Sequence, residues 1–307
     1  PANPDARHLV AEIVQAGEAA WQAMQPAQER PHFALTMRSS GPEGTIVKEL
    51  EATQSLTYYT LARAYDAALN ERPEEACAAI LHAFHIAVST LNGPQTFSSS
   101  VIQESCQDTL AMTFIVAELT ELPEGCVQKL LQRCQDIRDP DRLPRQLNED
   151  WALSLSVRGS EGEDRNYRPL QGIQRPLWLM QGLNELEHRS HLAKVLQFPD
   201  PRERRAALLK PDLYEEFQMY HHLVRADELA ARSLLTEAFL LIMQDVSKGN
   251  PLPQSFGELR ERHPSLAEVY EGAIGLDLDV EEHHLRLGVD GLDQSRSRLP
   301  QILVSRN

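Results

Sequence analysis

The sequence predicts a mainly α protein: an irregular antiparallel array of helical hairpins with a small C-terminal β-hairpin or α/β module. Aromatic residues make up only 6 % of the 307, whereas Ala, Leu, Glu and Gln are abundant, and such side chains lose little rotamer freedom on a helix. Between Thr45 and Asp139, apolar positions recur at helical spacing. Short breaks interrupt them at Glu71-Arg72-Pro73, Asn92-Gly93-Pro94 and Leu122-Pro123. Near Ile274 the period changes to two.

Taken in order, Asn3-Pro4-Asp5 supplies a cap with Pro at the first helical position, and Leu9, Ile13, Val14, Trp21 and Met24 continue a helix to about Gln25. A Pro-, Ser- and Gly-containing loop follows from Pro26 to Gly44. Four helices then follow, lined by Leu50, Leu61, Tyr65 and Leu69; by Ala76, Ile80, Leu81, Phe84 and Val88; by Val101, Ile102, Leu110 and Phe114; and by Val127, Leu130, Leu131 and Ile137. Connections this short make them antiparallel neighbours, because only that arrangement buries each stripe. The segment Leu61 to Ala83 looks like a tetratricopeptide helix pair, but its loop is too long and no second copy recurs at the ~34-residue period.

The expected divisions are 1–138, the helical array; 139–168, a linker or mobile loop rich in Asp, Pro, Arg and Gly; 169–250, a second helical region packed on the array; and 251–307, the small C-terminal module. Trp151 to Val157 alternates like a short strand. The run from Pro211 to Lys248 contains neither Gly nor a further Pro and would span about 55 Å as one rod, long for a domain of this size, so a kink or break near Arg225-Ala226-Asp227 is expected in it. A short helix around Phe256 to Tyr270 precedes two alternating stretches, Ile274 to Val280 and His284 to Val289.

Thirty Lys and Arg against 45 Asp and Glu leave a formal charge of −15, a surface that repels nucleic acid. The densest basic run, Arg202-Glu203-Arg204-Arg205, carries an acid and no aromatic residue for base stacking. No apolar run reaches membrane-spanning length. The polar opening Pro1-Ala2-Asn3-Pro4-Asp5, without Met, leads to the expectation that something upstream was removed: a signal peptide, an anchor helix or a tag scar.

The four cysteines, Cys77, Cys106, Cys126 and Cys134, form no C-x-x-C pair, and each lies on an apolar stripe. The favoured reading is small thiols buried in a helical core. The alternative comes from counting outward from the turns. It pairs Cys106 with Cys134, at similar heights either side of Leu122-Pro123, and Cys77 with Cys126, each near the start of its helix.

His82 and His85, at i and i+3, have a spacing two metal ligands can use, and His188 and His191 repeat it. A core or surface histidine pair is the preferred reading of both, since a site needs further ligands and outer support. Asp277, Asp279, Glu281, Glu282, His283, His284, Asp290 and Asp293 form the densest oxygen cluster, yet lack the calcium loop and read as a solvated hairpin. Ser98-Ser99-Ser100 reads as a helix cap, not a nucleophile elbow, and no phosphate-binding glycine motif occurs. Paired acids such as Glu74-Glu75 and Glu215-Glu216 read as solvated helix faces. No cofactor is expected.

The order of the textures carries a resemblance. Leu61-Ala62-Arg63-Ala64, Arg72-Pro73-Glu74-Glu75-Ala76, Leu81-His82-Ala83-Phe84, Arg168-Pro169-Leu170 and Leu177-Trp178-Leu179-Met180 resemble a large group of uncharacterised bacterial proteins built as helical arrays behind an N-terminal membrane anchor. Pro253-Gln254-Ser255-Phe256-Gly257-Glu258-Leu259 and Leu287-Gly288-Val289-Asp290-Gly291-Leu292-Asp293 resemble that group's pilin-like C-terminal module. The chain lacks a Tyr before Gly288 and a second Asp-Gly-Gly cluster after Asp293. The resemblance implies the periplasm or the extracytoplasmic face of a bacterial membrane, the cytoplasm being the alternative. The expected function is a non-catalytic interaction or scaffold protein holding a protein or peptide partner on the array. The alternatives are a metal-assisted hydrolase centred on His82 and His85 or on the acidic tail, and a helical sensor of an apolar small molecule.

Overall fold

The structure is a computed structural model. It describes residues 4–28, 44–91, 100–139, 142, 145, 190–198, 201–208 and 214–268, and the backbone of 275–281, 284–290 and 302–305. Architecture among these residues is mainly helical. The helices are α1 (Pro4–Gln28), α2 (Gly44–Leu69), α3 (Pro73–Leu91), α4 (Ser100–Leu119), α5 (Glu124–Ile137), α6 (Pro201–Leu208), α7 (Tyr214–Ser247), α8 (Phe256–Arg262) and α9 (Ser265–Glu268), with residues 190–196 also helical. No helix of the described residues is long and apolar enough to cross a membrane.

The chain divides into two compact units. One holds residues 1–91, 99–139 and 225–307; the other holds 92–98 and 140–224. In the first, α2, α3 and α4 pack on one another, α1 lies on α2, and α5 lies on α3. Both helices of the α2–α3 pair bury small side chains, Ala64, Ala67 and Ala68 on α2 and Ala76, Ala79, Ala83 and Ala87 on α3. Small residues let the two backbones approach closely, and Ile80 and Phe84 fill what remains. Buried threonines cost little, because each returns its hydroxyl to the preceding turn: Thr57 donates to the Thr53 carbonyl, Thr109 to Ser105 and Thr113 to Thr109.

The α2–α3 turn closes as a Schellman motif, with Arg72 N–H on the Ala67 carbonyl and Glu71 N–H on that of Ala68. The motif forces Glu71 to φ 53°, a left-handed position usually given to glycine. The same motif ends α7, where Asn250 N–H reaches the Asp245 carbonyl, Gly249 N–H reaches Val246, and Gly249 takes φ 80°.

One expectation is corrected here. The break near Arg225-Ala226-Asp227 does not occur: α7 runs unbroken for 34 residues, about 50 Å. With no Gly or Pro in this run, nothing withdraws a backbone hydrogen bond. The strand-like Trp151 to Val157 and nearly all of the expected linker 139–168 lie outside the described residues.

Candidate functional site

Two polar clusters penetrate the helical core of the first unit. The first joins α1, α2 and α3. Arg63 pairs with Glu18, and its guanidinium carbon stands 4.7 Å over the Trp21 ring. Trp21 also meets His82 edge to face, centroids 5.5 Å apart, and His82 stacks on His85 at 6.4 Å. The Arg63 hydrogen bond holds the Glu18 carboxyl below its ordinary range. Tyr59 donates to the Val14 carbonyl at 3.2 Å, and its ring occupies the space a Cβ at Gly17 would need, which lets α1 lie close on α2.

His82 is 6 % exposed, and neither ring nitrogen makes a hydrogen bond. Burial, with a smaller contribution from His85, pushes its pKa down to about 4. The imidazole is therefore neutral at physiological pH and packs as an aromatic ring. His85 is buried beside it. Among the described residues, no group of three or more His, Cys, Asp or Glu is placed to hold a metal ion. The sequence pattern brings these two imidazoles together. His191 is exposed, whereas His188 and the side chains of the acidic tail lie outside the described residues.

The second cluster joins α5 to α7. Arg138, at the C-cap of α5, pairs with Glu237, their side chains 2 % and 1 % exposed. Gln135 adds a hydrogen bond to Glu237 at 3.4 Å, and Ser233 donates to the Cys134 carbonyl at 2.6 Å. Nε and Nη1 of Arg138 are buried without partners. The neighbouring Cys134 thiol is pushed up to about 12, first by burial, so it is unreactive. Sequence reasoning missed this pair. The signal was a single acid, Glu237, inside the apolar stretch Leu234 to Met243.

A third polar group closes the end of α7. Asp245 accepts from His263 Nε2 at 3.1 Å and pairs with Arg262 at 3.3 Å. Burial acts to raise its pKa, but the bonds from His263, Arg262 and Asn250 outweigh it and the net direction is down. The cluster clamps α8 to α7, with Ser255 capping α8 through Glu258 N–H.

The cysteines are distributed unevenly. Cys77 of α3 and Cys126 of α5 form a disulfide, Cα atoms 5.9 Å apart. Cys106 and Cys134 are buried and form no disulfide with each other, which corrects the alternative Cys106–Cys134 pairing and leaves these two as the buried thiols of the favoured reading. Counting from the α4–α5 turn placed them at equal heights, but equal height is not adjacency. α5 lies against α3, and Cys134 sits where α5 meets α7.

What fold and geometry define is a mainly helical protein with polar clusters set into its helical core. No protein-family model, curated protein or solved structure matches the chain.

Proposed function

We propose that the protein is a non-catalytic interaction or scaffold protein of the cell envelope, holding a protein or peptide partner on its helical array. The observation that carries the reading is an apolar stripe on the outer face of α1. Leu9 and Ile13 are 58 % and 41 % exposed, and Ala16 and Ala20 continue it at helical steps, also exposed. The opposite face, Val14 and Trp21, is already taken up by α2 and α3. An apolar helix stripe left in water is the feature that helix-groove recognition uses. Location outside the cytoplasm draws support from the Cys77–Cys126 bond, since such bonds persist in oxidising compartments.

The reading includes the small C-terminal β module. Its support is the backbone register of Gly275–Glu281, His284–Asp290 and Ile302–Ser305, antiparallel in chain order. That register sets Leu276 opposite Val289, Leu278 opposite Leu287, and Leu285 opposite Val304.

The test is photo-crosslinking in cells from Leu9 and Ile13, with exposed Gln22 as control, alongside alkylation of thiols at lysis. A discrete partner crosslinked from Leu9, lost when Ile13→Glu and Ala16→Glu are added with the melting temperature unchanged, supports the reading. Crosslinks no stronger than at Gln22 overturn the partner, and a reduced Cys77 in cells overturns the compartment.

A further inference from the structure

We propose that the Cys77–Cys126 bond is a reducible clasp, opened in the folded protein by an external dithiol that attacks Cys77 Sγ and releases Cys126 Sγ as the leaving thiolate. The two sulfurs are not equivalent. Cys77 is only partly buried, whereas Cys126 is 3 % exposed. Attack on a disulfide needs access to the sulfur attacked, and Cys77 is the more exposed residue of the two.

The leaving end matters too. Cys126 is the third residue of α5, where the helix dipole favours a thiolate, while its burial acts the other way and the N–H groups of Cys126 and Val127 are already given to the Pro123 carbonyl. A better leaving thiolate departs faster. Glu74, Glu75 and Glu124 stand in the same first turns and oppose this, but they are exposed and therefore screened. Cys106 and Cys134 are wholly buried and take no part.

In the first step the reductant's sulfur bonds to Cys77 Sγ while the Cys77–Cys126 bond breaks, and its electron pair stays on Cys126. The reductant's second thiolate then attacks its own mixed-disulfide sulfur, expelling Cys77 and leaving as a disulfide. Both cysteines take up protons. The result frees the start of α5 from α3, while its other end stays tied to α7 through Arg138 and Glu237.

The experiment treats the full, folded chain with increasing dithiothreitol, quenches by alkylation and counts modified cysteines by mass spectrometry. The expected rate is proportional to reductant and rises roughly tenfold per pH unit as its thiolate fraction grows. Hydrogen exchange is expected to accelerate near Val127 and not near Ile137. A rate that does not depend on reductant concentration would mean that the bond opens only with global unfolding, and the clasp fails. So does a native protein with four reactive thiols. The site of attack is read separately: Cys126→Ser exposes Cys77, which should form a mixed disulfide with oxidised glutathione, while Cys126 in folded Cys77→Ser stays silent. The reverse preference, or a glutathione adduct trapped on Cys126 of the wild-type chain, overturns the assignment.

Discussion

Replacing Glu237 by Leu should be among the most damaging single substitutions in the first unit. The carboxylate is 1 % exposed and faces a guanidinium that is 2 % exposed, so its removal leaves a cation buried without its counter-charge. Breaking a buried pair in this way costs about 3–5 kcal/mol, two orders of magnitude or more in the folding equilibrium. Arg138→Met should cost a similar amount, for the mirror-image reason. The double variant behaves differently. Two guanidinium nitrogens already lack partners, each such buried donor costing about 1–3 kcal/mol, so exchanging both residues for apolar ones of similar size removes those penalties with the pair. The expected outcome is stability equal to the wild type or up to about 4 kcal/mol above it. Urea unfolding of all four proteins, compared at constant m, gives the coupling energy directly. If each single substitution costs under about 1 kcal/mol, the pair is not desolvated as the burial implies. If the double loss equals the sum of the singles, mutual neutralisation is the wrong account.

Gly17→Ala would set a methyl group into the Tyr59 ring; the expected loss is about 1–3 kcal/mol, and Tyr59→Ala in the same chain should recover most of it. Glu71→Gly relieves a left-handed residue at φ 53° and should stabilise by about 1 kcal/mol, visible as a rise of a few degrees in Tm by calorimetry. His82 gives a pH dependence. Its pKa lies at about 4 in the folded chain against an ordinary 6.5, so the unfolded chain binds more protons between those values. Stability is intact above pH 6.5 and falls as the pH drops toward 4, by up to about 3 kcal/mol in total. Denaturant midpoints at pH 7 and pH 5 should therefore differ by about 2 kcal/mol more in the wild type than in His82→Phe; equal slopes for the two would remove the argument.

The helices of the first unit were legible because their signals are local. Pro73 and Pro123 mark the helix starts, and the stripe Val127, Leu130, Leu131, Cys134 and Ile137 has a helical period that survives without knowledge of its partner. Trp21 was legible as an apolar position of α1, but not as the ring that Arg63 and His82 meet, because the contacts that fix it come from α2 and α3. Arg138 and Glu237 stand 99 residues apart, and no local pattern couples residues at that distance. The α7 break was misread for a different reason: the length of the run was weighed against the size of a domain, whereas a run without Gly or Pro carries no local signal that ends a helix.

The two ends of α5 are held by interactions of opposite character. At its start stands a covalent bond to α3 whose Cys77 is the more exposed partner; at its end stands a buried ion pair to α7 that bulk salt screens little. At its start Glu124 also meets Lys248 and Gln244, exposed contacts that are worth little. A reductant therefore acts on one end of the helix without disturbing the other, whereas replacement of Glu237 acts on the second end and leaves the disulfide closed. The same 14-residue helix can thus be loosened from either side independently. Hydrogen exchange along it distinguishes the two: loss of protection that begins at Val127 marks the disulfide, and loss that begins at Ile137 marks the ion pair.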